Sequence, residues 1–351
     1  MLSTTNQASR PTDDLGRQYS SAHDSALPLT GDDLIDSTWF KTDVHFRYSL
    51  SDYRLFSVGV SGYAFTVPLI ALLPASFRFD INALLMTAPP AAAMLCVRDF
   101  PLDYLQPRLA FKDDKIVYVL NQSYRYYVHL CGTFDSYLAS LSGKSRSTLK
   151  RKVKKFAATT NGTVDWRVFT APNEMAHYHA LARTVATKTY QDRLFSGALP
   201  DNAHFRQELL SLAARHTIRG YILFADKVPI SYLHIPIRDG VAEYAYLGYD
   251  PSYASYSPGT VLLYYALQDL FSHSGIIYFD FSYGAGQTKE VFATSKYLRA
   301  DVVYLSRSYR HYATTYTHLG SERLSQFLGR ALDRVNLRGT VKRILRQGEN
   351  I

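Results

Sequence analysis

Residues 219–250, RGYILFADKVPISYLHIPIRDGVAEYAYLGYD, leave this chain little freedom of fold. β-Branched and aromatic residues crowd the stretch, and it breaks only at Asp226-Lys227 and Asp239-Gly240. Such pairs suit tight reversals, so three consecutive antiparallel strands are expected. A strand over VDWRVFT (164–170) and helices over 173–190 and 202–216 precede them. A helix ending near Gly275 follows, then IIYFDFS (276–282), an apolar strand of the buried kind that pairs in parallel. GAGQTKEVFATSKY (284–297) is partly helical in pattern, and DVVYLSRSY (301–309) makes a last strand. The fold class expected is mixed α/β (α+β): a mostly antiparallel sheet flanked by helices.

Upstream, residues 1–36 are polar and have no apolar core of a secretion signal, so a tail is expected. The most apolar early stretch, 55–77, is punctuated by Ser57, Gly59, Ser61, Gly62, Pro68 and Pro74. That argues against a membrane span and for a hairpin of 53–60 and 63–73 turning at Ser61-Gly62. With no other long apolar run, the cytoplasm is the expected compartment, peripheral association with the inner membrane being compatible with the charge. Cys96 and Cys131 form no CxxC pair and read as reduced structural thiols. His177 and His179, two apart on a helix, point to different faces, so no metal site is expected.

The net charge of +9 favours an anionic partner: a phosphorylated co-substrate, an anionic membrane surface or nucleic acid. Seven basic residues (Lys144, Arg146, Lys150, Arg151, Lys152, Lys154 and Lys155) fall on a helical stretch with Leu149, Val153 and Phe156 on its apolar face. A solvated face is the plain reading, with an acidic substrate or lipid headgroup next. The run lacks interleaved aromatics that stack on single strands, which argues against nucleic acid. From Thr317 onward a basic amphipathic pattern places Leu324, Phe327, Leu328, Leu332 and Val335 on one face, the makeup of a membrane-surface or partner-docking helix, with packing on the N-terminal half and a solvated basic face the preferred expectation.

Ser257-Pro258-Gly259 opens the apolar helix after 249. Serine there is a cap and proline a first-turn residue, but a bare helix N-terminus with a glycine also suits an anion. Asp280 lies inside an apolar strand, where it must be hydrogen-bonded or functional. By strand alternation Glu243 shares a face with Ala245 and Leu247, so it is either a desolvated base or an arginine's partner.

Three segments resemble the GNAT acyltransferases, in particular the branch associated with bacterial cellulose and exopolysaccharide biosynthesis and the related tandem Fem-type transferases. They are FDSYLASLSGKSRSTLKRKVKKF (134–156), LGYDPSYASYSPGTVLLYYALQDLFSHSG (247–275) and YFDFSYGAGQTKEVF (278–292). In the third, Asp280, Phe281, Gly284, Lys289 and Phe292 fall in register with the family signature, while Ser282 stands for a glycine and Thr288 for a tyrosine. In the second, Gly259 fits the last position of the family's phosphate loop, with Ser257 and Ala254 departing from it.

The resemblance implies a tail over 1–36, a degenerate GNAT-like half over 37–160, a GNAT domain over 161–312 and basic C-terminal helices over 313–351. The hairpins at 53–73 and 219–237 suggest a loose duplication. It also implies an acyl-CoA co-substrate, acetyl-CoA or longer, and no metal. Its pyrophosphate would meet Ser257, Pro258, Gly259 and Thr260, and its carbonyl the backbone at Leu247 and Gly248. Glu243 is the implied base, Tyr283 the acid toward the thiolate, and Asp280 a catalytic or loop-orienting acid. Lys289 and Tyr249 would contact the acceptor, a small-molecule primary amine of a surface-polymer precursor. Two rivals remain: a Fem-like transferase using aminoacyl-tRNA, and a non-catalytic module docking on a membrane or in a biosynthetic complex.

Overall fold

The computed structural model describes residues 39–50, 53–67, 81–90, 92–160, 162–189, 199–283 and 286–334. The expected tail, Gly284, the Tyr283 side chain and the chain beyond Arg334 lie outside the described residues. The N-terminal part holds β1 (Phe40–Leu50), β2 (Tyr53–Thr66), α1 (Ile81–Met86), β3 (Met94–Leu102), β4 (Leu109–Lys112) and β5 (Lys115–His129). Next come α2 (Phe134–Ser140), α3 (Gly143–Ala157), β6 (Asp165–Phe169), α4 (Met175–Ala186) and α5 (Ala203–Ala214). The meander follows as β7 (Ile218–Ala225), β8 (Val228–Arg238), β9 (Val241–Glu243) and β10 (Tyr246–Tyr249). The chain then forms α6 (Pro258–Leu270), β11 (Tyr278–Tyr283), α7 (Gln287–Phe292), β12 (Ser295–Ser306) and α8 (Tyr309–Arg334).

One sheet takes in all these strands in the order β1-β2-β3-β12-β5-β11-β9-β8-β7-β6, with β10 on β8 and β4 on β5. Among the described residues only β2/β3 and β9/β11 pair in parallel, so the mixed, mostly antiparallel class holds. The meander turns where expected. Asp226 and Lys227 carry φ of 49° and 66°, Asp239 and Gly240 of 49° and 75°, the left-handed backbone that two-residue hairpins need.

The other expected turn is wrong. β2 runs unbroken through Ser61-Gly62, and the hairpin closes instead between Leu50 and Tyr53. Gly62 marks a close approach: a Cβ there would lie 2.2 Å from the Met94 carbonyl oxygen of β3. The small residues that resemble a turn let two strands meet.

Two cores sandwich the meander. Tyr221, Leu223 and Ala225 of β7 face α2, α3 and α6, while Ile222 and Phe224 face α4 and α5. Phe279 and Phe281 of β11 join the first core, so Asp280 emerges on the opposite face. On that face, farther along the sheet, α8 packs on β1 and β5 through Tyr312 and Leu319. The helix begins eight residues before Thr317, and Leu324 and Phe327 are exposed. Of the stripe expected to pack, Leu324 and Phe327 therefore lie on the outer face and Leu328 is half-buried, while the Leu332 and Val335 side chains lie outside the described residues; the inner face is built from Tyr312, Thr315, His318 and Leu319.

Candidate active site

β9 and β11 run side by side only as far as Glu243, which lies opposite Asp280. The Tyr244 N–H still donates to the Asp280 carbonyl at 2.9 Å. The next strand residues, Tyr246–Tyr249, pair with β8 instead. The ladder slips by one there: Ala242 faces Ile237, but Tyr246 faces His234. Ala245 is the extra residue, and its N–H donates to the His234 carbonyl at 3.2 Å.

The bulge overturns the expected alternation from Glu243 to Leu247. Tyr244 and Leu247 pack on the same core, whereas Tyr246 turns to Phe205 and His234. It also sets which backbone groups are offered. The Asp250 N–H donates to the Ile230 carbonyl at 2.8 Å, so residues 250, 248 and 246 point at β8. The N–H groups of Leu247 and Tyr249 then face the opening between β10 and β11.

Gly248 does not face that opening. Its carbonyl accepts from Ser231 Oγ at 2.8 Å, and a Cβ there would lie 2.4 Å from the Tyr232 ring. Its glycine serves packing.

The N-terminus of α6 stands at the mouth of the opening. Pro258 takes the first helical position, as expected, but Ser257 caps nothing. Its backbone is left-handed, φ 55° and ψ 49°, and its side chain makes no cap bond. The Thr260 and Val261 N–H groups both close onto the Ser257 carbonyl, at 3.0 and 3.1 Å. That leaves the Gly259 N–H without a protein acceptor among the described residues. A Cβ at Gly259 would meet the tip of Leu247 at 2.8 Å and Tyr249 at 3.6 Å, so helix start and β10 are in contact.

Part of the basic run on α3 converges here. Lys152 Nζ donates to Thr260 Oγ1 at 3.2 Å, and Lys155 Nζ to the Ser255 carbonyl at 2.9 Å while lying 5.3 Å over the Tyr256 ring. Burial, with Arg151 nearby, pushes the Lys152 ammonium below its ordinary pKa. Lys144, Lys150, Arg151 and Lys154 are exposed, in keeping with the solvated reading for that side of the helix.

Behind the opening lies a band of buried charge whose arginines the sequence reading missed. Arg125 of β5 donates from Nε to both Asp280 carboxylate oxygens at 3.1 Å and reaches Asp99 of β3 at 2.9 Å. Arg299 of β12 pairs with Asp99 at 2.8 Å and Asp301 at 3.1 Å. Asp280 is 1% exposed and also accepts the Ser282 N–H at 2.8 Å, near the end of β11. Charged residues inside YRYYVH and KYLRADVVYL were the signal available.

Glu243 borders this band. Its burial first, with Arg238 opposing and Asp280 adding, pushes its carboxyl above the ordinary carboxylate range. Lys289 Nζ lies 3.5 Å from the Ser282 carbonyl, and burial lowers its pKa. The structure thus brings Glu243, Asp280 and Lys289 together, and Tyr283 stands opposite Arg125 in the ladder. Tyr249 sits apart from them, at the α6 end of β10.

Residues 143–290, somewhat less than half of the chain, match the family model described as an acetyltransferase (GNAT) domain. That stretch is similar to a GNAT acetyltransferase domain. No curated protein matches the sequence. Among solved structures it is similar to the C-terminal domain of a putative lysylphosphatidylglycerol synthetase from Agrobacterium fabrum, at 11% identity over 80% of this chain and 88% of that one, with a TM-score of 0.47. FemX is similar at 11% identity over 80% and 91%, TM-score 0.46. A conserved protein of unknown function from Bacteroides thetaiotaomicron follows at 14% over 70% and 79%, TM-score 0.44.

Proposed function

We propose that this GNAT-like domain transfers an acyl group from a coenzyme A thioester to a primary amine. The observation that carries the reading is the mouth itself. β10 parts from β11 shortly before a helix N-terminus whose Gly259 N–H has no acceptor among the described residues and which has two lysines beside it. These donors fit a pyrophosphate: partial positive charge from the helix, full charges from Lys152 and Lys155, and the Thr260 hydroxyl. With two of the first-turn N–H groups already used, the lysines carry more of the binding than a bare helix end would require.

The thioester supplies an activated acyl carbonyl. The Leu247 N–H, directed into the opening, is placed to stabilise negative charge building on that oxygen. Glu243, with its raised pKa, accepts the proton the attacking amine must lose. Asp280 and Arg125 hold the Glu243 side of the band rigid, and Lys289 faces the acceptor from α7. The resemblance to the exopolysaccharide branch makes an amino sugar the first acceptor to try.

The test is thiol release from acetyl-CoA and longer acyl-CoA in the presence of a panel of amines. Amine-dependent release that falls at least about a hundredfold in Glu243→Gln supports the reading. Activity with an aminoacyl-tRNA and none with any thioester would contradict it.

A further inference from the structure

α8 presents to solvent a stripe whose one ring contact among the described residues is the stacking of Tyr316 on Tyr312. Its inner face is held by Tyr118 and His318, 2.7 Å apart, and by the 3.1 Å contact of His318 Nε2 with the Arg47 carbonyl. On the outer side Tyr309, Ala313, Tyr316, Gly320, Leu324 and Phe327 recur at steps of three, four or seven and form one line. Tyr309 is 87% exposed, Tyr316 53%, Leu324 52% and Phe327 65%. Arg310, Arg323 and Arg330 stand exposed along the same side, while Glu322 is engaged with Arg108. A groove of about 950 Å³, with Arg108, Tyr316 and Arg323 in its walls, separates the helix from the loop before β4. That loop adds Tyr104 and Leu105, 69% and 66% exposed.

We propose that this face of α8 docks on an anionic lipid bilayer. Aromatic and leucine side chains on a helix lying flat enter the boundary between headgroups and acyl chains, and flanking arginines meet the phosphates. From Tyr309 to Phe327 the stripe is about 27 Å long at 1.5 Å per residue, enough to span several headgroups. A second copy of the chain suits it less. A two-fold contact would set the arginines of one stripe against those of the other, with Glu322 already engaged by Arg108. The following sequence has the same sign, with Arg338, Lys342, Arg343 and Arg346 against Glu349.

The experiment is co-sedimentation of the full chain with vesicles at physiological ionic strength. One set is phosphatidylcholine alone, the other phosphatidylcholine with a third of phosphatidylglycerol. The chain is expected to sediment with the anionic set only. Replacing Tyr316, Leu324 and Phe327 together by Ser should weaken binding at least about tenfold. The pair Arg323→Glu and Arg330→Glu should do the same and leave a residual binding that salt weakens less than it weakens the parent's. Both variants should keep the parent melting temperature, since all five side chains are exposed; should the triple variant misfold, the charge pair decides alone. No binding to anionic vesicles overturns the proposal. So does undiminished binding in the folded charge pair, or a dimer in dilute solution that the variants convert to monomer.

Discussion

Asp280 and Arg125 show how a single side chain governs the buried charge of the site. With Asp280 1% exposed, its charge is tolerated through the Arg125 fork and the Ser282 N–H. Arg125→Met removes one partner and strands the other, which should cost about 3–5 kcal/mol in chemical denaturation. A cost under about 1 kcal/mol would mean the pair is hydrated and weak. Glu243 gives the second residue-scale expectation. Its folded pKa is raised, so the native state binds more protons than the unfolded one between the two values, and stability falls as pH rises through that window. Glu243→Gln should flatten this fall, and should also remove the rise of the transfer rate with pH over the same window. A retained rate profile would assign the base elsewhere. Glu243 was reached through an alternation that the bulge overturns, whereas Asp280 was legible because a carboxylate inside an apolar strand must have a use. Arg125, Asp99 and Arg299 were not, because strand periodicity gives a face but no neighbour: Asp99 and Arg299 meet from two distant stretches of chain.

At the scale of elements, turn chemistry made the meander legible, while the bulge at Ala245 has no signature in composition. One added residue redirected Leu247 and Tyr246 and decided which N–H groups reach the opening. The same limit applies at α6, where the serine expected to cap adopts a left-handed backbone. Ser257→Ala should therefore be nearly neutral in stability, within about 0.5 kcal/mol, and Ser257→Gly should stabilise by up to about 1 kcal/mol by relieving strain. A loss of 1 kcal/mol or more in the alanine variant, read from denaturation midpoints, would restore the cap. β8 carries another test. His234 is buried among Tyr178, Phe205 and Tyr246, and burial first, with His179 adding, lowers its pKa to about 4. Between that value and the ordinary one the unfolded state binds the extra proton, so stability is lost as pH falls, by roughly 3 kcal/mol in all. His234→Phe should flatten that acid limb; an unchanged limb would show that other groups drive it.

The whole molecule is tied together by strands that cross between its early and late sequence. β12 lies between β3 and β5, and β11 between β5 and β9. Nothing in the local pattern of 295–306 shows that it pairs with residues some 200 positions earlier, so this interleaving was not legible. The two tryptophans report on it, since Trp39 adjoins β1 and Trp166 lies in β6, at opposite ends of the strand order. In single-tryptophan variants the two fluorescence transitions should coincide in denaturant; separate midpoints would mean two independently folding parts. The most direct measurement is calorimetric titration of the complete chain with coenzyme A. The parent should bind, and Gly259→Glu should weaken affinity at least about tenfold, roughly 1.4 kcal/mol, by putting bulk and like charge at the mouth. Lys152→Ala combined with Lys155→Ala should do likewise without unfolding the protein. Absence of binding in the parent, or unchanged binding in a folded Gly259→Glu protein, would contradict a coenzyme site at the start of α6.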